Sequence, residues 1–127
     1  MEYKMENLTT NTTTNFTVSR SDLQNALIAA CTIPTGYGIP LYLNTKTNEI
    51  TVGGYLANNS FVPDVVEVGH RIKHVEKKCD CNSTKYDLNC AGCIYEMDNY
   101  INDILEDLNN DWDLNNSYNN YLVELTD

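Results

Sequence analysis

The chain has 127 residues, of which 42% are hydrophobic, and carries 18 acids against 8 bases for a formal net charge of −10. That length builds one modest core and excludes two. No run of eighteen apolar residues occurs and the polar Met-Glu-Tyr-Lys start leads into Asn and Thr, so the expectation is a soluble, cytoplasmic protein with no membrane contact and no signal peptide.

Residues 1–14 are polar and rich in Thr and Asn, and they read as a flexible segment ahead of a single domain over 15–127. The β-branched threonines also allow an edge strand after residue 9 that takes in Phe16 and Val18. Asn-x-Ser/Thr triplets begin at Asn7, Asn11, Asn15, Asn58, Asn82 and Asn115. A chain this rich in Asn and Thr produces them by composition, and nothing directs it to a glycosylating compartment.

Ser21-Asp22 reads as a helix start. Leu23, Ala26, Leu27, Ala30 and Cys31 then recur on one face until the chain approaches Pro34. Two glycines and two prolines make residues 34–40 a turn or loop. Leu41–Asn44 and Glu49–Val52 flank Thr45-Lys-Thr-Asn48 as a β-hairpin, and Val65 to Val75 alternates as a further strand, which together predict a small antiparallel sheet. From Ile94 through Met97, Ile101, Ile104, Leu105 and Leu108 an apolar stripe runs at three- and four-residue steps, predicting a helix over about residues 91–109. Asn and Asp crowd around Trp112 and Tyr118, and Tyr121–Leu125 reads as a last strand or short helix. The fold class is therefore α+β, a small sheet with two helices.

Chemistry concentrates at Cys79-Asp-Cys81 and Cys90-Ala-Gly-Cys93. Sulfur pairs two or three residues apart can share one metal, and thiols in a reducing compartment are metal ligands more often than disulfides. Cys79 and Cys81 suit a strand-to-turn knuckle, and Cys90 and Cys93 the first turn of the helix, where the dipole favours thiolates. Knuckle plus helix resembles the treble-clef arrangement. The prediction is one structural Zn²⁺ on Cys79, Cys81, Cys90 and Cys93 that anchors the C-terminal helix, with no open coordination position for catalysis. His74-Val-Glu76 with Cys90-Ala-Gly-Cys93 also resembles the signature of zinc deaminases, but Asn89 stands where that signature has proline and two extra thiols lie between. Cys31, on the apolar face of the first helix, reads as a buried cysteine. No Ser/His/Asp set or phosphate-cradling glycine loop occurs, so the chain is not read as an enzyme.

Charge divides the chain at the cysteines: residues 1–85 hold eight acids and all eight bases, whereas 86–127 hold ten acids and no base. Arg71, Lys73, Lys77, Lys78 and Lys85 sit near the knuckle, where cations neutralise a thiolate cluster. They also permit an alternative reading, a small zinc-finger-type transcriptional regulator touching nucleic acid. The ten uncompensated acids disfavour direct nucleic-acid binding. Glu96, Asp98, Asp103, Glu106, Asp107, Asp111 and Asp113, interspersed with Tyr95, Tyr100, Trp112, Tyr118 and Tyr121, are the candidate partner-binding residues for a basic protein surface. Short, acidic, Asn-rich, zinc-stabilised and without catalytic residues, the chain resembles the small phage-encoded anti-CRISPR proteins. That resemblance implies evasion of host defence in a bacterial cytoplasm: an inhibitor occupying the DNA-loading channel or recognition lobe of a type II RNA-guided nuclease.

Overall fold

A computed structural model describes residues 13–53, 64–118 and 120–127. The elements in chain order are β1 (Thr14–Ser19), α1 (Arg20–Ala30), β2 (Gly38–Asn44), β3 (Glu49–Val52), β4 (Val65–Lys73), α2 (Ala91–Asn109), α3 (Trp112–Ser117) and β5 (Tyr121–Thr126). Part of the expected N-terminal strand, residues 9–12, lies outside the described residues; Thr14, assigned from sequence to the flexible segment, opens β1.

The strands form one five-stranded sheet in the order β4-β2-β3-β1-β5. β2 runs antiparallel to β3 and β4, as its sequence predicts, but β1 lies parallel to both β3 and β5, so the sheet is mixed rather than antiparallel. The hairpin is decided locally. Asn44 Oδ1 accepts the Lys46 and Thr47 amides at 2.9 and 3.1 Å, and Asn48 closes the turn with φ of 61°, a left-handed conformation that Asn tolerates. The partners of β1 are decided by distant segments, with all of α1 between it and the hairpin and α2 before β5.

β2 begins at Gly38 and passes through Pro40, where a loop is expected. Proline is tolerated because it sits at the end of the β2–β3 ladder, where its carbonyl accepts the Gly53 amide at 3.2 Å and its missing N–H costs the sheet only a terminal bond. Across the other side of β2, Pro40 is opposite Arg71 while Tyr42 is opposite Glu67, so β4 bulges over residues 68–70.

One face of the sheet is buried. Phe16, Val18, Leu41, Leu43, Ile50, Val68, Ile72 and Val123 pack in a single cluster with Leu23 and Leu27 of α1 and with Met97, Ile101 and Leu108 of α2. The opposite face carries Asn15, Thr17, Glu49, Thr51, Tyr42, Glu67 and Glu124, none of them buried. α1 starts one step earlier than Ser21 suggests: Ser19, the last residue of β1, accepts the Asp22 amide at 3.3 Å and caps the helix directly out of the strand. α2 spans the predicted residues, burying Cys93, Met97, Ile101, Ile104 and Leu108 at steps of three and four. It touches both edge strands, β4 and β5, so the sheet curls around it.

α3 is a third helix within the Asn/Asp-rich stretch. Its N-cap is Asp111, buried at 6% exposure, whose Oδ1 accepts the Asp113 and Leu114 amides at 3.0 and 3.1 Å and approaches the Gly69 amide of β4 at 3.4 Å. The Asp111 amide donates to Tyr121 Oη at 3.1 Å, and that hydroxyl donates to the Leu108 carbonyl at 2.7 Å. One residue thus joins α3 and the β4 bulge through its carboxylate and β5 through its amide. Replacing it leaves three amides short of an acceptor, so Asp111→Ala should cost about 2 kcal/mol, the upper end for a helix cap. Urea unfolding checks this, with Asp111→Asn, which keeps an acceptor oxygen, losing less.

Candidate metal centre

Between β4 and α2, residues 74–90 form neither helix nor strand. The segment is fastened at its start, where the Val75 amide donates to the Ala30 carbonyl at 3.2 Å. Beyond that point two side chains organise it. Glu96, on the second turn of α2, accepts the amides of Lys78 at 2.9 Å and Cys79 at 2.6 Å, with the buried Tyr86 hydroxyl donating to it at 3.4 Å. Lys77 Nζ donates to the Cys79 carbonyl at 2.7 Å, the Cys81 carbonyl at 3.3 Å and Cys81 Sγ at 3.1 Å. Backbone groups that no sheet satisfies are thereby given partners.

These contacts bring the four predicted cysteines together. The Sγ atoms of Cys79, Cys81, Cys90 and Cys93 all lie within 4.8 Å of one another, with 3.6 Å between Cys79 and Cys90 and 3.5 Å between Cys81 and Cys93. Four sulfurs placed 2.3 Å from one metal in a tetrahedron stand about 3.8 Å apart. The cluster is therefore near the size that one tetrahedrally bound ion requires, and four soft donors of this kind can hold it. Cys90 is the N-cap of α2 and makes no side-chain cap bond of its own, which leaves its sulfur for the cluster. Cys93 is fully buried, while the other three ligands are partly exposed.

Gly92 is required by contact rather than by backbone freedom. A Cβ placed there meets Cys79 Sγ at 2.9 Å, so the Cys-Ala-Gly-Cys order lets the knuckle sulfur lie against bare helix backbone. The thiols also differ electrostatically. The Lys77 ammonium beside it holds Cys81 down to about 6 from an ordinary value of 9.0, whereas burial pushes Cys93 up to about 12.

His74 stands apart from the cluster. Its Nδ1 lies 2.8 Å from the Ile33 carbonyl, it is not among the grouped ligands, and Glu76 is exposed, so the deaminase-like arrangement is not formed. Cys31 also lies outside the cluster, half-buried, with Sγ 3.5 Å from the Leu27 carbonyl.

The seven candidate partner-binding acids divide. Glu96 holds the knuckle, Asp98 pairs with Arg20 of α1 at 2.7 Å, and Asp111 is the buried cap, so these three carry structural contacts. Asp107 lies 3.7 Å from His70 Nδ1. Asp103, Glu106 and Asp113 are exposed and form no ion pair among the described residues. Lys77 and Glu96 had local signals: Glu96 follows Cys93 by one helical turn, and Lys77 stands two residues before the first ligand. Of the basic cluster, Lys77 is engaged at the knuckle and Arg71 pairs with Glu67 at 2.6 Å.

Two outcomes follow for this centre. Gly92→Ala should weaken metal binding at least tenfold in a competition titration with a chromogenic chelator, although Ala is the better helix former by about 1 kcal/mol; Ala91→Gly, at an exposed position, should not. In metal-free protein Cys81 should take up iodoacetamide first, its rate climbing through pH 6 and level by neutrality, while Cys93 stays silent. The folded pKa of Cys81 lies below its ordinary value, so the stabilisation it gives the metal-free fold is complete above pH 9 and lost as pH falls through 6. Peptide mapping after timed alkylation reads the order of reaction. No protein-family model, no curated protein and no solved structure matches this chain.

Proposed function

We propose that this chain is a zinc-stabilised acidic binding protein that acts by occupying a basic protein surface. The observation that carries the proposal is the acidic end of α2 with α3. Asp103, Glu106 and Asp113 have no ion-pair partner among the described residues, no base occurs anywhere in 86–127, and Trp112 stands beside Asp113 at 75% exposure. Asp103, Glu106 and Asp107 lie toward the C-terminal end of α2, where the helix dipole makes acids unfavourable by about 0.3–1 kcal/mol each at most. Retaining them there makes sense if a cationic partner supplies the missing attraction, and an exposed tryptophan amid acids is a suitable anchor for such an interface.

Zinc is the ion that best suits four thiolates at tetrahedral spacing, since such a set favours soft, borderline cations and leaves no position open for water. Cys79, Cys81, Cys90 and Cys93 would hold it with a cluster charge of −2, which Lys77 faces. Its role is structural, and nothing in the described residues calls for a reaction.

Within that reading, the resemblance to phage-encoded anti-CRISPR proteins supports a specific partner: the positively charged channel or recognition lobe by which a type II RNA-guided nuclease takes up target DNA. Nucleic acid as the direct ligand is less well supported, because two bases of the knuckle region are already engaged and the C-terminal third repels phosphate.

Purified protein should contain one zinc per chain by elemental analysis, and chelation should lower Tm by on the order of ten degrees or more. Added to a reconstituted type II nuclease, it should inhibit target cleavage, less so as salt rises from 50 to about 300 mM. Glu106→Lys with Asp113→Lys should slow association at least tenfold by surface plasmon resonance without moving Tm. Undiminished inhibition by that double variant sinks the acidic surface. A mobility shift with DNA or RNA alone would favour the regulator instead.

A further inference from the structure

The two edges of the sheet are treated differently. At β5, Asn109 at the end of α2 offers its side-chain amide like a neighbouring strand: Oδ1 accepts the Val123 amide at 2.8 Å and Nδ2 donates to the Val123 carbonyl at 3.2 Å. That edge is blunted.

The edge of β4 is left open along a short stretch. Backbone polar groups of successive strand residues point to alternate sides. Pro40 turns its carbonyl toward β3, where Gly53 donates to it, so Ile39 turns toward β4 and meets its register partner Ile72. Gly69, Arg71, Lys73 and Val75 therefore point away from the sheet. The first and last are already occupied: Gly69 N approaches Asp111 Oδ1, and Val75 N donates to the Ala30 carbonyl. The amides and carbonyls of Arg71 and Lys73 are turned from β2 by this alternation and make no turn, loop or side-chain bond among the described residues.

Those groups face a groove of about 580 Å³ between β4 and α2. Residues 69–75 line it without a gap. A groove over a sheet face would be lined by every second residue, so an unbroken run means that it follows the strand's backbone edge. The facing wall is one side of α2, with Tyr100, Asp103, Ile104 and Asp107 at three- and four-residue spacing, and Leu27 of α1 adds to an apolar floor with Ile72. α3 with Asp111 closes one end and the C-terminus of α1 the other. From Gly69 to Val75 an extended chain covers about 20 Å, room for roughly five residues of a peptide beside it.

We propose that this groove binds an extended, basic peptide segment of a partner, added as a sixth strand on β4. Backbone groups of Arg71 and Lys73 pair with the peptide main chain. Alternate peptide side chains enter the apolar floor, and a Lys or Arg side chain reaches Asp103 and Asp107. Charge selects the occupant: among the described residues Asp103 has no ion-pair partner, Asp107 has only His70 at 3.7 Å, Arg71 is drawn to Glu67, and Lys73 alternates onto the same outer face of β4 as Arg71, opposite the buried Ile72. A second copy of the chain fits poorly, since its own β4 edge is recessed beside its own α2 and its C-terminal third is acidic. Because the groove uses Asp103 and Asp107, the inference rests on the acidic-surface reading and assigns part of that surface a peptide ligand.

The test pans a displayed library of random heptapeptides on the full-length, zinc-loaded protein and synthesises the enriched sequences. The expected peptides combine Lys or Arg with apolar residues two apart, and their binding slows amide hydrogen exchange of Arg71 and Lys73 at least tenfold. N-methylation of the central peptide amides, or Asp103→Asn with Asp107→Asn, should weaken binding at least tenfold with Tm not lowered. Peptides that bind without protecting the Arg71 and Lys73 amides would overturn the groove while leaving an acidic docking surface standing. Failure to enrich any sequence would overturn it as well, and the Glu106/Asp113 variant, which lies outside the groove, judges the wider surface separately. Protection of those amides that rises with protein concentration alone would give the edge to a second copy, against the proposal.

Discussion

The fold depends on how an irregular segment, residues 74–90, is fixed to the start of α2. Beyond the Val75–Ala30 bond no strand pairs with that segment, so the task falls to side chains: Glu96 from α2 accepts two amides, Lys77 within the segment donates to two carbonyls, and the four thiols meet within 4.8 Å. The contacts are mutually dependent. Glu96 positions Cys79 by its own amide, Gly92 leaves space for that residue's sulfur, and Lys77 neutralises the sulfur two residues further on. A bound metal would add one centre on which all four sulfurs converge, and the cations just ahead of the knuckle suit the negative charge of such a thiolate cluster.

The C-terminal end of α2 performs the matching task for the sheet. Asn109, Asp111 and Tyr121 lie within thirteen positions and between them tie α2 to β5, α3 to β4 and the end of α2 to the start of β5. Phe16 of β1 is packed edge-on by Tyr118 at 4.9 Å, so the aromatic residues of this stretch are partly committed to the core and only Trp112 is fully turned to solvent. Acidity here is accordingly of two kinds. Asp98 and Asp111 answer to Arg20 and to orphan amides, and their negative charge is spent inside the molecule. Asp103, Glu106 and Asp113 find no ion-pair partner among the described residues, and it is this remainder that gives the surface its character.

What could be read from sequence was what nearby residues decide. The apolar stripe from Cys93 to Leu108 determines α2, Asn44 and Asn48 determine the hairpin, and the cysteine spacing determines the cluster, each within a few residues of itself. The parallel placement of β1 could not be read, because Phe16 and Val18 suit either direction and their partners lie in β3 and in β5 at the far end of the chain. Pro40 and Gly38 looked like breakers because the cost of a proline depends on which side of the strand lacks a partner, and only the assembled sheet tells that. Glu96, Asp98 and Asp111 look like the other acids of their strip until the groups opposite them are known. A carboxylate's role is set by its neighbour in space, and helical periodicity reports only its direction.

These two fastenings divide α2 into halves with different sources of order. Its first turn, Cys90 to Cys93, and the segment before it are held by the cysteine cluster with Glu96 and Lys77. Met97, Ile101, Ile104 and Leu108 are held by the sheet and α1, and burying each of them is worth about 1.5–3 kcal/mol with or without a metal. Asp103 to Asp113, and the groove beside β4 that they overlook, belong to the second half. A metal bound there would act on that surface only at a distance, through the pitch and register of a helix already seated by its own apolar face. Its direct influence falls on the segment that leads out of β4, where Val75 is tied to Ala30 at the mouth of the groove. On this division, loss of a bound ion would loosen the segment that leads out of β4 before it disturbed the acids.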